Sequence, residues 1–121
     1  MDLAPATNNQ AIRLAGLGWW EDALVAIREA TDLYRELAVA RPDAFRPGLA
    51  MSLHNQAIWL AGLGRREDAL VAIREAVPIR RELAARWPDA HHHELERSLQ
   101  VAAWLEHREG VSGASPQEPK Q

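Results

Sequence analysis

The 121-residue sequence predicts an all-α fold of about five antiparallel helices, and three observations carry that prediction. One stretch occurs twice: residues 9–44 and 55–90 are identical at 26 of 36 paired positions, at an offset of 46 residues. A period of this size marks repeat architectures, in which a single unit cannot bury its own apolar face. Within each copy the apolar residues recur at steps of three and four, the spacing of one helical face. Glycine and proline punctuate the chain between most of these runs, where helices end and begin.

Taken in order, the spacing predicts a first helix over 5–17. Pro5 suits its opening turn, where a missing N–H costs little. Ala11, Leu14 and Leu17 lie on one side, and Gly18 is the left-handed residue that ends it. A second helix over 20–40 opens on Glu21-Asp22, carboxylates that the helix dipole favours in a first turn. Its inward stripe is Ala23, Leu24, Ile27, Ala30, Thr31, Tyr34, Leu37 and Ala38. Arg41-Pro42 stops it, because the residue before proline is pushed out of helical geometry. A third helix over 47–63 repeats the core spacing at Leu49, Leu53, Ala57 and Leu60 before Gly64. The fourth, over 66–86, turns Ala69, Leu70, Ile73, Ala76, Val77 and Leu83 inward. Pro78 lies in its middle, where the lost hydrogen bond costs about 3 kcal/mol and predicts a kink. The fifth, over 92–108, sets Leu95, Leu99 and Ala103 in register with Leu49, Leu53 and Ala57. The repeat domain therefore spans 1–109, and the Pro- and Ser-rich residues 110–121 form a disordered tail.

Composition narrows the chemistry. With 47% apolar and 26% charged residues the chain reads as one soluble globular domain. No apolar run approaches a membrane span, and residues 1–10 lack the features of a signal peptide, so the expected location is cytoplasmic. The absence of cysteine excludes disulfides, thiolate metal sites and thiol nucleophiles. A net charge of −3 is too mild to imply a polyanionic partner. Arginine supplies 13 of the 14 basic residues, a bias expected of a GC-rich bacterial genome.

Asn55-Gln56-Ala57, Leu60, Gly64, Ala69, Ile73 and Ala76 resemble the helix-turn-helix signature of tetratricopeptide repeats. The first copy offers Asn9-Gln10-Ala11, Leu14, Gly18, Ala23, Ile27 and Ala30. The length of the second and fourth helices makes the chain similar to the long-helix members, such as kinesin light chain and the arrays of actinobacterial signalling proteins. The resemblance covers about residues 5–108 and implies an α-solenoid of two and a half helix-turn-helix repeats. It also implies a concave peptide- or protein-binding face, which maps onto Asn8, Asn9, Ile12, Met51, His54, Asn55, Ile58 and Ala61. Two departures stand out. Gln10 and Gln56 occupy a position that is usually leucine, and a buried glutamine must find partners. Trp19, Trp20 and Trp59 stand where the other copy has Arg65, Arg66 and Arg13, so solvent-facing positions carry tryptophan.

Exposed tryptophan anchors protein contacts, and Trp19, Trp20 and Trp59 are accordingly the expected self-association residues. The bland alternative is that they cover helix ends. His91-His92-His93-Glu94 lacks the second histidine of the H-E-x-x-H zinc motif, and adjacent residues point apart, so a solvated helix entry is expected and no metal. No nucleophile elbow or phosphate-binding glycine loop is present, and no catalytic residue or cofactor is assigned. Acids interleaved with Arg65, Arg66, Arg80 and Arg81 dilute any field for nucleic acid. The expected function is a non-catalytic protein- or peptide-binding module that forms a homo-oligomer, since two and a half repeats leave both ends of a stack apolar. A self-assembling or engineered building block, and a regulatory fragment of a larger bacterial signalling protein, are the alternatives.

Overall fold

The computed structural model describes residues 3–107, and every regular element in that range is a helix. In chain order these are α1 (Leu3–Gly16), α2 (Trp20–Ala40), α3 (Pro42–Gly62), α4 (Arg66–Arg86) and α5 (Pro88–Glu106). The disordered tail expected over 110–121, and the last residues of the predicted repeat domain, lie outside the described residues. Each helix packs along its length on the next, and α1 with α3 and α3 with α5 also approach one another. Consecutive helices run antiparallel. Asp43 and Arg46 at the start of α3 meet Arg86 and Glu82 at the end of α4. Among the described residues no helix is long and apolar enough to cross a membrane.

The connections repeat as faithfully as the sequence. At the end of α1, Trp19 N–H donates to Leu14 O and Gly18 N–H to Ala15 O, both at 3.0 Å. At the end of α3, Arg65 N–H donates to Leu60 O at 2.9 Å and Gly64 N–H to Ala61 O at 3.0 Å. This pair of bonds consumes carbonyls that a helix end otherwise orphans, and it requires a left-handed residue. Gly18 (φ 82°) and Gly64 (φ 78°) supply it.

The other two connections differ from expectation. The third helix begins at Pro42 rather than at residue 47, and the fifth at Pro88 rather than 92. Proline fits a first helical position because its missing N–H has no acceptor there. It also drives the residue before it into extended geometry, so Arg41 (φ −138°) and Trp87 (φ −136°) each join two helices alone. Pro47 and Pro78 both sit inside helices. α4 keeps its helical assignment through Pro78, from Arg66 to Arg86. Pro78 and Arg74 are both exposed, so the Arg74 carbonyl deprived of its donor lies on the wet side of the helix.

The core is a ladder of small and aliphatic residues. Ala23, Ala30, Ala57, Ala69 and Ala76 are fully buried, with Leu24, Ile27, Leu53, Leu60 and Ile73 between them. Alanine at the contacts lets helix axes approach, and the larger side chains interlock on either side. The stripes predicted for the second, third and fourth helices are buried or half-buried throughout. The stripe of α5 is not. Leu95 is half-buried, and Leu99 and Ala103 are exposed, although their counterparts Leu53 and Ala57 are buried. An odd-numbered helix hides this face beneath the helix that follows it, and α5 has no follower among the described residues.

Tyr34 fills the α2–α3 contact by lying across Gly48. A Cβ on Gly48 would fall 2.6 Å from Tyr34 Cζ and 2.8 Å from Cδ1. The ring is buried, so it can give way only by disturbing the core around it. Gly48→Ala is therefore expected to lower stability by about 1–3 kcal/mol in chemical denaturation. Tyr34→Leu should recover part of that loss when combined with it, and an unaltered midpoint for Gly48→Ala alone would contradict the contact.

Candidate interaction surface

The residues expected on a concave face separate into two layers. Asn9, Ile12 and Met51 are exposed, and Asn55, Ile58 and Ala61 are half-buried. On α3 the positions 51, 55 and 58 follow helical spacing, and α1 contributes Asn9 and Ile12, the counterparts of Asn55 and Ile58. Together they form an apolar, amide-bearing strip across two adjoining helices. Asn8 and His54 do not belong to it. Each is only 2% exposed and points into the helix stack. The physical reason is angular: one residue is 100° of turn, so the neighbour of an outward asparagine faces inward.

His54 belongs instead to a buried polar cluster that sequence reasoning missed. Its Nδ1 lies 2.9 Å from Ser98 Oγ. Arg80 Nη1 donates to Ser98 Oγ at 2.9 Å and to the Glu94 carbonyl at 3.1 Å. A serine hydroxyl carries one donor and two acceptor sites, so Ser98 can serve Arg80 and His54 together. Three helices, α3, α4 and α5, are thus tied through one hydroxyl. The first copy has Tyr34 at the place of Arg80, Gly48 at that of Glu94, Ser52 at that of Ser98 and Asn8 at that of His54. One slot is filled by an aromatic ring over glycine in one copy and by guanidinium against a carbonyl in the other. The signal available in the sequence was Ser52 and Ser98, identical residues in register within otherwise apolar stripes.

The glutamines and tryptophans also depart from expectation. Gln10 is exposed, so no buried amide needs a partner there. Gln56 is half-buried and accepts from Thr31 Oγ1 at 3.2 Å. Trp59 is 7% exposed, a core residue rather than a solvent-facing one. Its counterparts are the exposed Arg13 on α1 and the buried Leu105 on α5. Arg13 lies on an end helix with only α2 and α3 beside it, so its exposure says nothing about a helix in the middle of the stack. Trp19 and Trp20 remain exposed, at 57% and 41%, beside exposed Leu17.

In the second copy that corner is integrated into the fold. Arg65 pairs with Asp68 at 3.0 Å, and Arg66 Nε donates to the Leu105 carbonyl at 2.9 Å. The tryptophans can make neither contact through a charged group. The chain matches no family model, no curated protein and no solved structure. His91 Nδ1 lies 3.0 Å from Glu94 and His92 Nε2 3.3 Å from Glu96, pairings within α5, and no group of three or more metal-ligating side chains occurs among the described residues.

The two layers predict different costs. Met51→Ser should change the unfolding free energy by no more than about 0.5 kcal/mol, as surface changes do. His54→Ala should cost about 2 kcal/mol or more, because it takes one of two partners from the buried Ser98 hydroxyl and opens a cavity. Equal losses for the two variants in urea denaturation would show that the strip is not a free surface.

Proposed function

We propose that this protein is a non-catalytic interaction module, a solenoid of the tetratricopeptide type that binds protein or peptide and associates with itself. The observation that carries this reading is the corner formed by Leu17, Trp19 and Trp20. A large aromatic surface left in water is costly: each buried aromatic side chain withdraws roughly 150–250 Å² when covered. The other copy shows that the same corner is built soundly from arginine, so nothing in the fold itself calls for tryptophan. Contiguous exposed apolar groups of this kind mark contact surfaces, and tryptophan is the residue most enriched where contact energy concentrates.

The strip of Asn9, Ile12, Met51, Asn55 and Ile58 supports the same class of function. Its amides offer donors and acceptors to an extended backbone, and its aliphatic groups offer dry contact. It bears no cation, which disfavours clamping of a peptide carboxylate and favours an apolar peptide or helix.

Light scattering over a concentration series tests the self-association. The native chain should give a mass above that of one 13.5 kDa chain, and Trp19→Arg combined with Trp20→Arg should return it to the monomer with its helical circular dichroism intact. A monomer for both proteins at every concentration would refute association through this corner and leave the strip as the place to look for a ligand.

A further inference from the structure

The exposed stripe of α5 repeats a face that is covered on the earlier odd-numbered helices. Ala11 on α1 and Ala57 on α3 are both 0% exposed, whereas the third member of the series, Ala103, lies open. Leu53 is 1% exposed and its counterpart Leu99 is 37%. Leu99 and Ala103 line a groove with Ala102 on α5 and with Val77, Pro78 and Arg81 on α4. The equivalent groove between α2 and α3 is closed by α4, which presents Ala69, Leu70, Ile73 and Ala76, and α2 covers α1 with the matching residues Ala23, Leu24, Ile27 and Ala30. In this groove Val77 and Ala102 replace the hydrogen-bonded Thr31 and Gln56, and Arg74 and Glu106, which also line it, pair with each other at 3.3 Å.

Charge points the same way. In the first copy Arg35 on α2 reaches past α3 to a fork of hydrogen bonds with Glu75 on α4. That bond raises the guanidinium's pKa above its ordinary value. Arg81 is the residue at Arg35's place in the second copy, it lines the open groove, and it has no carboxylate partner among the described residues. At the start of α3, Asp43 binds Arg86 at 3.0 Å. Its counterpart at the start of α5, Asp89, likewise has no basic partner among the described residues. An incoming helix in α4's register would bring a carboxylate to Arg81 and, three turns later, an arginine to Asp89.

We propose that the α4–α5 groove is a docking site for an amphipathic α-helix of a partner polypeptide, bound in the register that α4 adopts on α3. That helix carries an Ala/Leu/Ile face with an acidic residue opposite Arg81 and a basic residue opposite Asp89. The assignment rests on the reading of this protein as an interaction module and names one surface and one partner class within it.

The test uses the full chain and a labelled synthetic peptide of residues 66–86 bearing Pro78→Ala, which removes the interior proline from the isolated helix. Fluorescence anisotropy should show saturable binding. Leu99→Glu, at an exposed position, should leave the melting temperature in place and weaken binding by about tenfold or more. Arg81→Glu should weaken it about fivefold to tenfold, and a peptide with Glu75→Arg should bind Arg81→Glu protein better than native protein. Trp19→Arg should leave peptide binding unchanged. Absence of saturable binding, or binding indifferent to Leu99→Glu, overturns the assignment. A native oligomer that Leu99→Glu dissociates also overturns it, because the occupant is then a second copy. If the peptide fails while the tryptophan corner still associates, the groove falls alone; if both fail, the module reading falls with it.

Discussion

The fold depends on a debt that each odd-numbered helix passes to the next. α1 and α3 present an alanine flanked by larger aliphatic groups, and neither can bury that face against its own turn. α2 and α4 cover it, and each then turns a second face to the helix that comes after. The left-handed glycines and the prolines at first helical positions exist in service of this arrangement. They make connections so short that a helix has little choice but to fold back along the one before it. Stability is therefore shared between neighbours rather than held in a single centre, as expected when repeats contact only adjacent repeats.

Polar groups decorate this scheme without replacing it. Thr31 with Gln56, Arg35 with Glu75, and His54 with Ser98 and Arg80 each join helices that are not consecutive or bridge a contact between two that are. The exposed ion pairs contribute little energy individually, since surface pairs are screened and hold two long side chains in place. The buried cluster is different. Its members lie out of water, so each hydrogen bond lost there leaves a dehydrated partner behind. Its value lies in fixing α5, the last of the described helices, against α3 and α4 in one orientation.

Most of the fold was legible because the repeat and the helical period pointed to the same five elements. The departures have separate physical causes. Pro42 and Pro88 read as helix stops, which they are, but a proline that ends one helix also begins another when the connection is a single residue. His54 and Asn8 were placed on the surface, although Leu53 and Ala57 fix the inward side of α3 and His54 falls next to it. Trp59 was judged by its counterpart on an end helix, and burial differs between the end and the middle of a stack even at one register position. Sequence repetition reports local geometry well. It reports environment only where the two copies have the same neighbours.

The near-identity of the two copies has a consequence for how the chain finds its structure. Ala69, Leu70, Ile73 and Ala76 on α4 repeat Ala23, Leu24, Ile27 and Ala30 on α2, so the face that closes over α3 would serve almost as well over α1. A chain with interchangeable parts can pair them out of sequence, within one molecule or between two. What separates the intended pairing from the exchanged one is a handful of unlike positions: tyrosine over glycine at one joint, guanidinium on a carbonyl at the other, tryptophan at the centre of the stack. Those positions stabilise the joints they occupy, and they are also where two otherwise equivalent hairpins differ.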